Sequence, residues 1–241
     1  MKRVIIFFCL ALFMAVIIQP NISNSLVKNV DHDIPVNTTS RPLTNEDASL
    51  TQCESKAVIC IDADNGGNDH GYEVEGRQLA KDINLALALK IGDRLSKSGY
   101  HVIYTRQDDN IQESYDSDES AEWRIEKAIA GQADYFLSIT LYGDSDIYQK
   151  GYSIFTQENV KTIALANEIA NQFEVINYSE YKGIDSDHYE NFPILSNKEI
   201  PSILVQIGHI TNQSDYSYLV DENFQMKLAN AILKAFIKEI N

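Results

Sequence analysis

Residues 57–71 read Ala57-Val58-Ile59-Cys60-Ile61-Asp62-Ala63-Asp64-Asn65-Gly66-Gly67-Asn68-Asp69-His70-Gly71. Five consecutive apolar residues, three of them β-branched, predict a strand buried on both faces, and the glycine-rich segment after it predicts a loop. A helix is expected next, over about residues 81–98: Ile83, Leu87, Ile91 and Leu95 recur at helical spacing, and Gly99 stands where a terminator belongs. Strand, loop and helix in that order open a parallel sheet.

The alternation continues along the chain. Apolar runs at 100–104, 135–139, 152–155 and 202–207 predict four more strands, and helices are expected at about 121–130, 160–173 and 224–240. The last helix buries Met226, Leu228, Ala231, Ile232, Ala235 and Phe236. Together these predict one three-layer α/β/α domain over residues 56–241, with a mostly parallel sheet covered on both faces. No internal repeat is present.

Two segments precede the domain. Lys2 and Arg3 lead into fifteen apolar residues, 4–18, which end at Gln19-Pro20. As a helix this run spans only about 22 Å, short of the hydrocarbon core, so residues 1–20 are expected to be a signal peptide or an N-terminal membrane anchor and the protein to be exported. Ser23 and Ser25 are the nearest small pair with cleavage-site spacing, and both the cleaved and the anchored outcome stay open. Residues 21–55, with Pro35 and Pro42 among Asn, Ser, Thr and Asp, read as a polar linker.

Charge narrows the partners. The chain has 20 basic and 35 acidic residues, of which 16 and 30 fall in residues 56–241. An acidic domain lacks the basic stripe that binds phosphate backbones, so no nucleic-acid partner is expected. The densest acidic run, 107–120, holds Asp108, Asp109, Glu113, Asp116, Asp118 and Glu119, and reads as a solvated loop more readily than as a regulatory segment. Outside the leader only Cys53 and Cys60 remain. A buried free Cys60 is the plainer reading.

In sheets of this class ligands bind beyond the carboxyl ends of the strands, which here are residues 62–71, 140–143 and 206–209. Six pieces then occur in order: Asp62-x-x-x-Gly66-Gly67-x-Asp69-x-Gly71; Lys81-Asp82-Ile83-Asn84-Leu85; Gly99-Tyr100-x-Val102-x-x-Thr105-Arg106-x-x-Asp109; Ala133-Asp134-x-Phe136-x-Ser138-Ile139; Pro201-Ser202-x-Leu204-Val205-x-Ile207-Gly208; and Asn212. Over residues 56–241 this pattern resembles the zinc-dependent N-acetylmuramoyl-L-alanine amidases. The resemblance implies an exported cell-wall hydrolase that cuts the amide between the lactyl group of muramic acid and the stem peptide.

The same resemblance implies a site of two histidines and a glutamate on zinc, with a second glutamate as general base for the zinc-bound water. The four positions fall on Asn65, Ala80, Thr140 and Gln206. None carries the expected side chain. Zinc selects imidazole, thiolate or carboxylate, and Gln206 cannot accept a proton. The expectation is therefore a catalytically degenerate member, without zinc or another cofactor, that acts by binding peptidoglycan or an envelope protein, such as another amidase. Asp62, Asp64, Asn65, His70, Thr140 and Gln206 are its candidate groove residues.

Three alternatives accompany it. An active amidase would need a metal site rebuilt from His70, His209, Glu73 and Glu75, whereas His70 reads more simply as a loop residue and His209 as a core or rim histidine. Asp62, Asp64, Gly67 and Glu73 partly copy a calcium loop, although position five is Gly66 and a strand precedes it. A structural protein with an empty groove is the third. Arg124, at the position of a family arginine, reads as structural, and Trp123 either lines the site or packs.

Overall fold

A computed structural model describes residues 56–111 and 117–240. The expected leader and linker, and residues 112–116 of the acidic run, lie outside the described residues. The elements are β1 (Val58–Ala63), α1 (Ala80–Lys97), β2 (His101–Tyr104), α2 (Ser117–Ala130), β3 (Tyr135–Tyr142), β4 (Tyr152–Thr156), α3 (Val160–Ile176), β5 (Tyr181–Asp185), β6 (Ser202–His209), α4 (Gln213–Leu219) and α5 (Glu222–Glu239). Two short 3-10 turns, Tyr189–Asn191 and Pro193–Leu195, precede β6.

The six strands form one sheet in the order β2-β1-β3-β6-β4-β5. β1, β2, β3 and β6 are parallel, β4 runs antiparallel to β6, and β5 is parallel to β4. The mostly parallel three-layer fold expected from the sequence is present. The reversed direction of β4, the strand β5 and the helix α4 were not anticipated. β5 is short and carries Lys182, Gly183 and Asp185, so it lacks an apolar run. α4 has only seven residues and rests on its cap, the Asn212 carboxamide oxygen accepting from the N–H groups of Ser214 and Asp215.

Strand alternation sorts side chains into two cores. Ile59 and Ile61 face α1, α3 and α5 in the larger one, while Cys60 faces α2 in the smaller one with Ile125, Phe136, Leu195 and Leu204. Cys60 is a buried free thiol, pushed far up in pKa by burial and by nearby Asp62. No helix among the described residues is long and apolar enough to cross a membrane. Because four strands share one direction, their carboxyl ends meet on one edge. That edge holds the candidate site.

Candidate functional site

β1 ends in two aspartates that differ in burial. Asp62 is fully buried and accepts three hydrogen bonds, from Thr105 Oγ1 at 2.7 Å, Ser138 Oγ at 2.7 Å and Arg124 Nη1 at 2.6 Å. Asp64, partly exposed, accepts from the same Arg124 Nη1 at 2.9 Å and from Thr140 Oγ1 at 2.7 Å. One guanidinium nitrogen from α2 thus joins two carboxylates of β1. Burial works against the Arg124 charge, but Asp62 and Asp64 outweigh it and raise its pKa. Arg124 thereby ties α2 to the end of β1.

The loop after β1 is braced from three elements. Lys81 Nζ, at the start of α1, donates to the Gly67 carbonyl at 2.7 Å and to Asp109 Oδ2 at 2.5 Å, while Asp109 Oδ1 accepts from the Gly67 N–H at 2.8 Å. Desolvation would raise the Asp109 pKa, but the hydrogen bonds from Lys81 and Gly67 and the charges of Lys81 and Arg106 hold it below the ordinary carboxylate value. Arg106 reaches the carbonyls of Ala63 and Lys81. Lys81, Arg106 and Asp109 all belong to the quoted motif pieces, whose spacing was readable although their bracing role was not.

Asn65 has φ +62°, a left-handed conformation that Asn tolerates. Its carboxamide donates to Asp69 Oδ2 at 2.9 Å and accepts from Asn84 at 3.4 Å. A Cβ on Gly71 would stand 2.6 Å from Asn65 Oδ1 and 2.9 Å from Ala80 Cβ, so this glycine lets the loop close over both residues. Ala80 is fully buried. On the other side, Thr140 and Gln206 are register partners on β3 and β6, both half-buried. Among the described residues the Gln206 side chain makes no hydrogen bond, and the buried Asn84 Oδ1 has no partner. Chain continuity from Asp64 to Asn65 and the Asp64–Thr140 bond connect the two sides.

A cleft of about 450 Å³ opens beside this edge toward α2. Asp64, Asn65, Asp69 and Arg124 are among its polar lining residues, and Trp123 and Phe192 among its aromatic ones. Trp123 both lines the cleft and packs, since Lys127 Nζ lies 4.2 Å over its ring. Ala80, Thr140, Gln206 and His70 stand outside this lining.

Of the donors proposed for a rebuilt metal site, His70 and Glu73 pair with each other rather than converging with His209. His70 Nδ1 lies 2.7 Å from Glu73 Oε1, both side chains well exposed. His209 is buried and packs edge-to-face on Tyr142, its Nδ1 without a partner among the described residues. Glu73, the twelfth position of the partial calcium loop, is engaged by His70, and Asp62 by Arg124, Thr105 and Ser138. Among the described residues no group of three or more His, Cys, Asp or Glu is placed to hold a metal ion. Asn65, Ala80 and Thr140 also do not fit zinc: one is an amide, one has no donor, and the hydroxyl of the third is committed to Asp64.

Comparison with known proteins accounts for the architecture. A family model described as N-acetylmuramoyl-L-alanine amidase matches residues 59–238. The uncharacterized protein YqiI of Bacillus subtilis is 33% identical over 188 residues, covering 75% of this chain and 82% of YqiI. The N-acetylmuramoyl-L-alanine amidase LytC of the same organism is 28% identical over 178 residues, which is 73% of this chain but 34% of LytC. The CwlD amidase of Clostridioides difficile, solved in complex with the GerS lipoprotein, superposes with a TM-score of 0.65 at 26% identity, covering 76% of this chain and 98% of that one. The fold, the order of the motifs and these matches lead to one conclusion, that the chain belongs to the N-acetylmuramoyl-L-alanine amidase family.

Proposed function

We propose that this protein is an exported, catalytically degenerate amidase that binds cell-wall peptidoglycan or an envelope protein without hydrolysing the muramoyl-peptide amide. The observation that carries the reading is the Thr140–Asp64–Arg124 connection. It uses the hydroxyl at the second histidine position in a hydrogen bond and sets a guanidinium against both β1 carboxylates. With that hydroxyl engaged and an amide at Asn65, neither position offers the imidazole nitrogen that zinc selects. Gln206 supports the same reading: a neutral amide with free hydrogen-bonding capacity can hold a substrate carbonyl or N–H but cannot activate water. Peptidoglycan as ligand and an envelope location come from the family. A protein partner has a precedent in the CwlD–GerS complex.

The test uses the full chain with purified insoluble peptidoglycan. Co-sedimentation without release of new L-alanine amino groups is expected, along with less than stoichiometric zinc by elemental analysis. Sustained amine release, or about one zinc per chain resisting dialysis, overturns the reading. Reversion adds a positive arm: Asn65→His, Ala80→Glu and Thr140→His together should bind zinc with little turnover, single reversions should do nothing, and Gln206→Glu should supply the missing base, a group worth about 10²–10⁴-fold. If the triple variant keeps its circular dichroism spectrum yet titrates no zinc at micromolar concentration, the four positions do not form the family's site.

A further inference from the structure

Charge is unevenly divided between the two helical layers. α1, α3 and α5 together carry eight basic and six acidic residues, whereas α2 and residues 185–199 carry eight acidic and three basic ones. One of those three, Arg124, is already consumed by Asp62 and Asp64. The acidic layer contains a groove of about 610 Å³ between α2 and the segment before β6. Ile125, Ile129 and Pro193 form its apolar floor, with Ile129 38% exposed. Glu122 and Glu126 stand on the α2 wall, Glu190 and Glu199 on the opposite wall. None of the four glutamates has an ion-pair partner among the described residues.

We propose that this groove docks a basic amphipathic segment of a partner protein, its aliphatic side chains on Ile125 and Ile129 and its lysines or arginines against the four glutamates. Facing pairs of acidic side chains over an apolar floor are the complement of such a segment and repel an acidic one or an anionic membrane surface. Ala121 and Pro193 line both this groove and the cleft at the strand ends, so a docked segment lies beside the candidate site. The groove is separate from the family's ligand positions, and the proposal stands whether or not those positions hydrolyse anything.

The full chain in neutral detergent, with empty micelles as baseline, is titrated with a fluorescent helical peptide of lysine and leucine, and the complex is coupled with a zero-length carbodiimide that joins lysines to carboxylates. Saturable binding is expected, with cross-links concentrated on Glu122, Glu126, Glu190 and Glu199. The exposed quadruple variant Glu122→Gln, Glu126→Gln, Glu190→Gln, Glu199→Gln should bind about tenfold more weakly, roughly a factor of two per screened charge. Ile129→Ser should weaken binding as well. A control of equal charge change on exposed sites elsewhere, Glu75→Gln, Glu158→Gln, Glu174→Gln, Glu239→Gln, should change affinity less than the groove variant. Cross-links spread over all exposed carboxylates, equal weakening by the control variant, or no saturable binding overturns the proposal. Loss of peptidoglycan binding leaves this outcome unaffected, so the two readings fail separately.

Discussion

Arg124 is the residue on which the strand-end edge depends. Its guanidinium lies 2.6 Å from fully buried Asp62 and 2.9 Å from Asp64. Arg124→Met leaves the Asp62 charge in the interior with only two hydroxyl donors, and removing one partner of a buried pair typically costs about 3–5 kcal/mol. A loss of that size in the unfolding free energy from urea titration is expected, with Arg124→Lys intermediate; an unchanged midpoint would mean that the network carries no stability. His209 acts in the opposite sense. Burial lowers its pKa, Asp215 and Asp144 oppose that, and Lys182 adds to it. The folded state then binds fewer protons than the unfolded chain near and below the ordinary histidine value of 6.5, so this residue's contribution is full above that value and is lost as pH falls. Stability measured from neutral to mildly acidic pH should fall less steeply in His209→Phe than in the natural chain. An identical slope would assign the acid loss to other groups.

Element packing shows where close approach was built in. α1 lies so near β2 that a Cβ on Gly92 would meet Tyr104 Oη at 2.0 Å and the ring carbon bearing it at 2.5 Å. In isolation a helical Gly→Ala change gains up to about 1 kcal/mol. Here overpacking, typically about 1–3 kcal/mol, should exceed it. Gly92→Ala is therefore expected to destabilise, and to become stabilising in a Tyr104→Ala background where the space is open. Failure of the sign to reverse in that double-mutant cycle would show that α1 and β2 adjust freely. The helical spacing of Ile83, Leu87, Ile91 and Leu95 made α1 readable to within one residue at each end. β5 and α4 were not readable, because their stability comes from pairing with β4 and from the Asn212 cap rather than from an apolar period.

At the scale of the molecule, residues 57–236 supply both cores among the described residues, and the apolar run at 4–18 is expected to be a leader apart from the domain. Removing residues 1–25 should leave a soluble domain whose thermal midpoint matches that of the full chain in detergent; aggregation of the shortened chain alone would contradict the leader assignment. The sequence by itself determined the strand and helix alternation, the acidic balance and the family motifs, because these depend on local periodicity and residue type. Only the tertiary structure decided that Thr140 pairs in register with Gln206 and bonds Asp64, that Arg124 joins two carboxylates across from α2, that β4 reverses direction, and that four glutamates from distant segments face each other across a groove. Such facts depend on which segments the sheet brings together, and neither hydropathy nor spacing encodes a distance between residues sixty or more positions apart.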